Sequence, residues 1–186
     1  DRDLSTAQLP NRLTAQLDIL DIGAGSGAIA IALAMNLPKA RITAIEKSPE
    51  AVEILQRNIN YHNLQKRITL INADIFDWEA DKEYDFIVSN PPYIAEREMS
   101  GLDKRVSHYE PYMALSDGGN GLSFYKYYAE KFINWLKDDG RAILEFGGND
   151  MEESVLSIFS NYTNIEIIRD YQQQARHIFF NNNKMK

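Results

Sequence analysis

Asn90-Pro91-Pro92-Tyr93 is the stretch whose residue types define a chemistry most narrowly. Two consecutive prolines fix φ and carry no N–H, so the carbonyls around them have little conformational freedom and no local donor. The Asn90 side-chain oxygen and the Pro91 carbonyl can then each accept one hydrogen of a single NH₂ group. An amide or amino nitrogen is a poor nucleophile while its lone pair is delocalised; two such acceptors orient it and favour a pyramidal form. Alignment of this kind can supply roughly 7–11 kcal/mol of a displacement barrier. Tyr93 offers a flat wall for a planar group. The structural alternative is an ordinary Pro-Pro turn closing a strand.

A second constellation lies upstream. Asp21-Ile22-Gly23-Ala24-Gly25-Ser26-Gly27 sits where a strand should end and a helix begin. Glycines permit positive φ and close approach of a ligand, while free N–H groups at a helix start attract an anion. Alone the loop is a weak signal, because residues 23–28 also satisfy the looser dinucleotide fingerprint. Glu46 follows about 20 residues on, where an acid can accept the hydroxyl hydrogens of a ribose; the alternative is a surface acid beside Lys47. Asp74, within Asn72-Ala73-Asp74-Ile75-Phe76, can accept from an adenine amino group, with Ile75 as an apolar contact to the ring. By itself Asp74 reads as a turn residue or helix cap. Three such groups on three successive strand ends point to a nucleoside ligand.

These residues need a frame that brings strand ends together, and the hydrophobic pattern supplies one. Strands are expected at residues 17–22, 41–45, 68–71, 86–89, 142–146, 165–169 and 175–180. Helices are expected at 28–36, with Ile29, Leu33 and Leu37 on one face and Pro38 as a stop, and at 49–62, begun by Ser48-Pro49-Glu50. The second would bury Val52, Leu55 and Ile59. Two more helices are read at 123–136 and 151–159, and Asp138-Asp139-Gly140 as the turn into the fifth strand. The alternation specifies an α/β fold with a mostly parallel, seven-stranded sheet. The last two strands lack a helix between them, which implies a C-terminal antiparallel hairpin. That hairpin separates the pattern from a dinucleotide-binding sheet built of helical crossovers throughout.

Composition limits the alternatives. The 186 residues suit one catalytic domain, read here as residues 17–180 between an N-terminal segment, 1–16, and a polar tail, 181–186. No apolar run approaches the roughly 20 residues that span a bilayer, so no membrane association is expected. Residues 1–5 have no basic region followed by an apolar one, and there is no cysteine; both suit a cytoplasmic protein. His62, His108 and His177 are too scattered to hold zinc, and no metal is expected. A net charge of −7 opposes stable nucleic-acid binding.

Together these motifs resemble the HemK/PrmC family, the glutamine N5-methyltransferases of peptide chain release factors. The resemblance runs from about Ile19 to Phe180 and includes Tyr109-Glu110-Pro111 with Ala114-Leu115, then Gly118, Gly121-Leu122 and Tyr125 leading into a helix. Leu144-Glu145-Phe146-Gly147 resembles the family's Leu-Glu-x-Gly strand, and Arg169-Asp170 with Arg176 its closing hairpin. It implies a Rossmann-like, class I S-adenosylmethionine-dependent methyltransferase. Asp21, Gly23, Ala24, Gly25, Ser26, Gly27, Glu46, Asp74, Ile75 and Asn90 would hold S-adenosylmethionine, released as S-adenosylhomocysteine. Asn90, Pro91, Pro92 and Tyr93 would hold the glutamine of a release factor's Gly-Gly-Gln motif. Glu46 replaces the commoner aspartate, and Ile75 stands where an aromatic often stacks. The family's N-terminal helical docking domain and its Pro-Arg-Pro linker are not seen in this sequence. Two other readings share the tetrapeptide: an adenine-N6-type nucleobase methyltransferase, and a non-catalytic subunit that binds the methyl donor. The nucleobase enzyme would want basic flanks. Lys104 and Arg105 offer some charge, offset by Glu96, Glu98, Asp103 and Glu110.

Overall fold

The computed structural model describes residues 16–102 and 111–182. The segment before residue 16, the flanking residues Asp103, Lys104, Arg105, Tyr109 and Glu110, His108, and the end of the tail lie outside the described residues. The described residues fall into two compact units, divided between Glu79 and Ala80. The seven-stranded sheet has the order β3-β2-β1-β4-β5-β7-β6.

In the first unit β1 (Asp18–Ile22), β2 (Arg41–Glu46) and β3 (Ile68–Asn72) are parallel, with Ile22 beside Ile45 and Glu46 beside Asn72. Ile19, Leu20, Ile22, Ile42 and Ile45 are almost wholly buried, as near-continuous apolar runs in a parallel sheet require. Helix α1 (Ala28–Asn36) follows β1, and α2 (Pro49–Tyr61) follows β2. The start of α2 is fixed as the sequence suggests: Pro49 is in the first turn and the Ala51 N–H donates to Ser48 Oγ at 3.3 Å. Leu55 and Ile59 are its buried stripe, with Val52 only half-buried.

The expected face of α1 is corrected. Ala30, Ile31 and Ala34 are buried, Leu33 and Leu37 half-buried, and Ile29 is 36% exposed. The helix is apolar on every side, so periodicity could not select a face; the small alanines are what let its backbone approach β2 and β3. Its last carbonyls are gathered by Arg67, whose guanidinium donates to the Ala34, Leu37 and Pro38 oxygens.

In the second unit β4 (Tyr84–Ser89) runs parallel to β5 (Leu136–Glu145), and β7 (Ala175–Asn181) is antiparallel to both β5 and β6 (Thr163–Arg169). The C-terminal hairpin is thus as expected. The start of β5 is not: it begins at Leu136 rather than 142, and Asp138-Asp139-Gly140 lies inside it. Pairing with β4 jumps from Tyr84↔Leu136 to Phe86↔Arg141, so this turn-like sequence forms an irregularity within the strand. A 3-10 helix (Glu96–Gly101) and the single turn α3 (Tyr112–Leu115) lie in a stretch for which the sequence suggested no helix or strand. Helix α4 (Ser123–Trp135) buries Tyr125, Tyr128, Phe132 and Trp135, while α5 (Asn149–Ile158) packs on β7. Phe132 stacks on Tyr128 with centroids 4.8 Å apart, and Phe159 on Phe180 at 4.5 Å. No helix among the described residues is long and apolar enough to cross a membrane.

Candidate active site

The glycine loop leaves the carboxyl end of β1 and is tied to the end of β2. The N–H groups of Gly23 and Ala24 both donate to the Ile45 carbonyl, at 2.9 and 3.0 Å. Gly23, Gly25 and Gly27 have φ of 70°, 56° and 89°, the left-handed region that favours glycine. A Cβ at Gly23 or Gly25 would meet nothing within 4 Å, so this side of the loop is open, whereas one at Gly27 would overlap Leu55 Cδ1. Ser26 is held through its carbonyl, which accepts from Asn58 Nδ2 of α2 at 2.9 Å.

Glu46 makes contacts that the sequence did not suggest. One carboxylate oxygen accepts from the Gly25 N–H and the other from the Ser48 N–H, each at 2.8 Å. It therefore clamps the loop to the start of α2, and each oxygen keeps a lone pair for a further donor. Asn72 continues the clamp by donating from Nδ2 to the Glu46 and Lys47 carbonyls. Asp74 forms a turn, accepting from the Phe76 N–H at 3.1 Å, and pairs with Lys47 Nζ at 2.7 Å. Although partial burial works against it, the Lys47 pairing and the Phe76 N–H leave its pKa below the ordinary carboxylate value. Ile75 is packed into the core at 5% exposure, and Phe76 beside it is 42% exposed.

Asp21 is 1% exposed, and neither carboxylate oxygen has a hydrogen-bond partner. Burial raises its pKa to about 7 against the opposing pull of the Ala30 N–H, with a smaller push from the Glu46 carboxylate.

The tetrapeptide follows β4 in the second unit. Asn90 is exposed and Pro91 buried, with Pro92 and Tyr93 half-buried. Among the described residues neither the Asn90 side chain nor the Pro91 carbonyl takes a hydrogen-bond partner. The chain beyond is fastened: the Ile94 N–H donates to the Leu115 carbonyl and the Glu96 N–H to that of Gly119, both at 2.9 Å. Asp117 orders this second glycine segment, accepting from the Gly119, Gly121 and Ser123 N–H groups at 2.8, 2.9 and 3.0 Å. Gly121 has φ 80°, and a Cβ there would overlap the Tyr93 carbonyl oxygen. Sequence reasoning assigned no role to Asp117, although an Asp followed by Gly, Gly, Asn and Gly is an Asx-turn signal. The pairing of Lys47 with Asp74, the donation of the Ser48 N–H to Glu46 and the hold of Asn58 on Ser26 were also missed, because they depend on contacts that residue types do not show.

The structure thus groups Asp21, Gly23, Ala24, Gly25, Ser26, Gly27, Glu46, Asp74 and Ile75 at strand ends of the first unit. Asn90, Pro91, Pro92 and Tyr93 follow β4 in the second.

This fold is the class I S-adenosylmethionine-dependent methyltransferase fold. It superposes on the crystal structure of human Methyltransferase-like protein 13 in complex with SAH with a TM-score of 0.66 and 20% identity, covering 94% of this chain and 75% of that one. The chain belongs to the methyltransferase small domain family, which it matches over residues 2–108. It is 41% identical over 142 residues to a release factor glutamine methyltransferase of Geobacter sulfurreducens, covering 76% of this chain and 49% of that protein. A protein of the same name from Streptococcus pneumoniae is 43% identical over 139 residues, with 75% and 49% covered. The chain spans about half the length of these relatives.

Proposed function

We propose that this protein transfers the methyl group of S-adenosylmethionine to the side-chain amide nitrogen of the glutamine in the Gly-Gly-Gln motif of a peptide chain release factor, leaving S-adenosylhomocysteine. The observation that carries the reading is the state of the tetrapeptide. Asn90 is exposed with a side chain free of partners among the described residues, next to a Pro91 carbonyl equally free. The two similar proteins named for glutamine methylation of release factors support the choice of substrate.

The first unit fits the methyl donor on two structural grounds. Gly23 and Gly25 form an open backbone cradle, and Asp21 is a buried carboxylate without a hydrogen-bond partner, suited to a cationic ligand. Gly23, Ala24, Gly25, Ser26 and Gly27 would hold the amino-acid end, Glu46 the ribose, and Asp74 with Ile75 the adenine. When bound, the donor supplies a methyl group already activated by its sulfonium. The protein's own task is alignment. Asn90 Oδ1 and the Pro91 carbonyl hold the two amide hydrogens, Pro91 and Pro92 keep those acceptors rigid, and Tyr93 bounds the planar amide. One hydrogen leaves as a proton once the new N–C bond has formed. A release-factor substrate places the protein in the cytoplasm, and no stable nucleic-acid partner is part of this reading.

The test incubates labelled methyl donor with a release factor, with its Gln-to-Ala variant, and with DNA and RNA. Label confined to the intact factor is the expected result. Label in nucleic acid would instead select the nucleobase reading, and donor binding without transfer to any of them would select the non-catalytic one.

A further inference from the structure

Consecutive prolines stiffen the middle of Asn90-Pro91-Pro92-Tyr93, so the placing of the tetrapeptide depends on how its two ends are held. The upstream end is set by the sheet: Ser89 closes β4 and pairs in register with Leu144 of β5. The downstream end rests on residues 116–121. Ile94 bridges to Ser116 in parallel register, and the Ile94 and Glu96 N–H groups donate to the Leu115 and Gly119 carbonyls. The backbone at Gly121 lies directly on the end of Tyr93: a Cβ there would overlap the Tyr93 oxygen and sit 3.1 Å from its carbonyl carbon. This seat is built largely of Gly118, Gly119 and Gly121, the residue type that loses most freedom on ordering. Ser116 Oγ and Asn120 Oδ1 each make a local contact, to the Gly118 and Leu122 N–H groups at 3.2 Å, spanning two residues apiece. Asp117 spans the whole turn. Its Oδ1 accepts from Gly119 and Gly121, and its Oδ2 from the N–H of Ser123, the first residue of α4. Leu122, at the N-cap of α4, has no side-chain acceptor, so Asp117 satisfies an N–H that the helix start leaves open. The helix it reaches is anchored by the buried Tyr125, Tyr128, Phe132 and Trp135.

We infer that Asp117 is a positioning residue: by joining the Gly119 and Gly121 N–H groups to the start of α4, it fixes the seat on which the Tyr93 end of the tetrapeptide rests. It acts through backbone and not on a reactant. With the seat loosened, the stiff tetrapeptide would pivot about its β4 end and carry the Asn90 and Pro91 acceptors out of line. Catalysis by alignment feels such a fault in kcat, whereas binding of the methyl donor does not. The kinetic part deepens the methyl-transfer reading above and rests on it; the hold of Asp117 on the seat does not, and the two can be tested apart.

Asp117→Ala and Asp117→Asn are compared with wild type in the full chain by thermal unfolding, amide hydrogen exchange and methylation kinetics. Asparagine keeps an oxygen for Gly119 and Gly121 but turns an NH₂ toward the Ser123 N–H, so both variants should unfold at a lower temperature than wild type. In Asp117→Ala the Ile94 and Glu96 amides should exchange about 10-fold faster or more, while those of Ile87 and Val88 within β4 stay as they are. Its kcat should fall about 10- to 100-fold with donor affinity unchanged. In Asp117→Asn both exchange and kcat should return most of the way although the unfolding temperature stays low. A residue that only stabilised α4 would instead leave kcat following the loss of stability in both variants. Gly121→Ala displaces the same seat with Asp117 intact and should speed Ile94 and Glu96 exchange likewise, which keeps the inference testable if Asp117→Ala does not fold. Ile94 and Glu96 amides indifferent to these changes, an active enzyme whose kcat ignores Asp117→Ala, or Asp117→Asn as impaired as Asp117→Ala would overturn the inference. If the wild-type chain methylates no release factor while the amides respond as described, the functional reading fails and the hold of Asp117 stands.

Discussion

A carboxylic acid buried as Asp21 is holds its proton more tightly in the folded chain than in the unfolded one, because burial penalises the anion. Between the unfolded value near 4 and about 7, the folded state therefore carries more protons, and stability falls as pH rises through that window. The full penalty is present above pH 7 and absent below 4. Asp21→Asn removes it, so the variant should be more stable than wild type at pH 8, by as much as about 4 kcal/mol, and gain little at pH 4. Urea unfolding at the two pH values measures this. A cationic donor would favour the anion and reverse the balance, so donor affinity should rise from pH 6 to pH 8 in the wild type and stay flat in Asp21→Asn. Asn90→Ala tests the opposite kind of residue, one exposed and without a partner. It should abolish methyl transfer and leave donor affinity within a few-fold by calorimetry, because in the proposed reaction Asn90 would orient the acceptor nitrogen rather than the donor.

At the scale of elements, the glycine loop separates two uses of positive φ. Gly25 and Gly27 both adopt it, but only at Gly27 would a Cβ overlap a buried neighbour, Leu55 of α2. Gly25→Ala should therefore cost about 1–2 kcal/mol for the left-handed backbone alone. Gly27→Ala should cost a further 1–3 kcal/mol or so for overpacking at Leu55. Thermal unfolding should rank them in that order, with α2 disturbed only in Gly27→Ala. Most elements were legible because their signals are local: Ser48-Pro49 begins α2, and the absence of a helix between 169 and 175 makes β6 and β7 a hairpin. The face of α1 was not legible, since Ala, Ile, Leu and Met cover all of its sides. Nor was the start of β5, where Asp138-Asp139-Gly140 reads as a turn and is accommodated as an irregularity against Tyr84. Within the candidate site, residue types suggested Gly23, Glu46 and Asn90. They could not reveal that Glu46 clamps Gly25 to Ser48, or that Asn58 holds the Ser26 carbonyl, because these contacts join residues far apart in sequence.

At the scale of the whole molecule, charge bears on which NH₂ group the tetrapeptide would serve in the proposed reaction. A glutamine amide and an adenine amino group are similar planar donors, and Asn90 with Pro91 cannot distinguish them by hydrogen bonding. Their carriers differ greatly. A nucleic acid brings a phosphate backbone, and affinity for it comes largely from Lys and Arg neutralising phosphates with release of counterions. With 20 Lys and Arg against 27 Asp and Glu, the chain has an excess of anions that repels such a partner. A base in a duplex must also be unstacked at a cost of a few kcal/mol before it enters a pocket, whereas a glutamine in a glycine-flanked loop needs no such step. Excess duplex DNA or RNA should therefore leave the rate of release-factor methylation unchanged, and neither should shift the protein in a native gel at about 0.15 M salt. Competition that weakens steeply as salt is raised would show a phosphate-binding surface strong enough to overcome the net charge of −7, and would move the substrate from protein to nucleic acid.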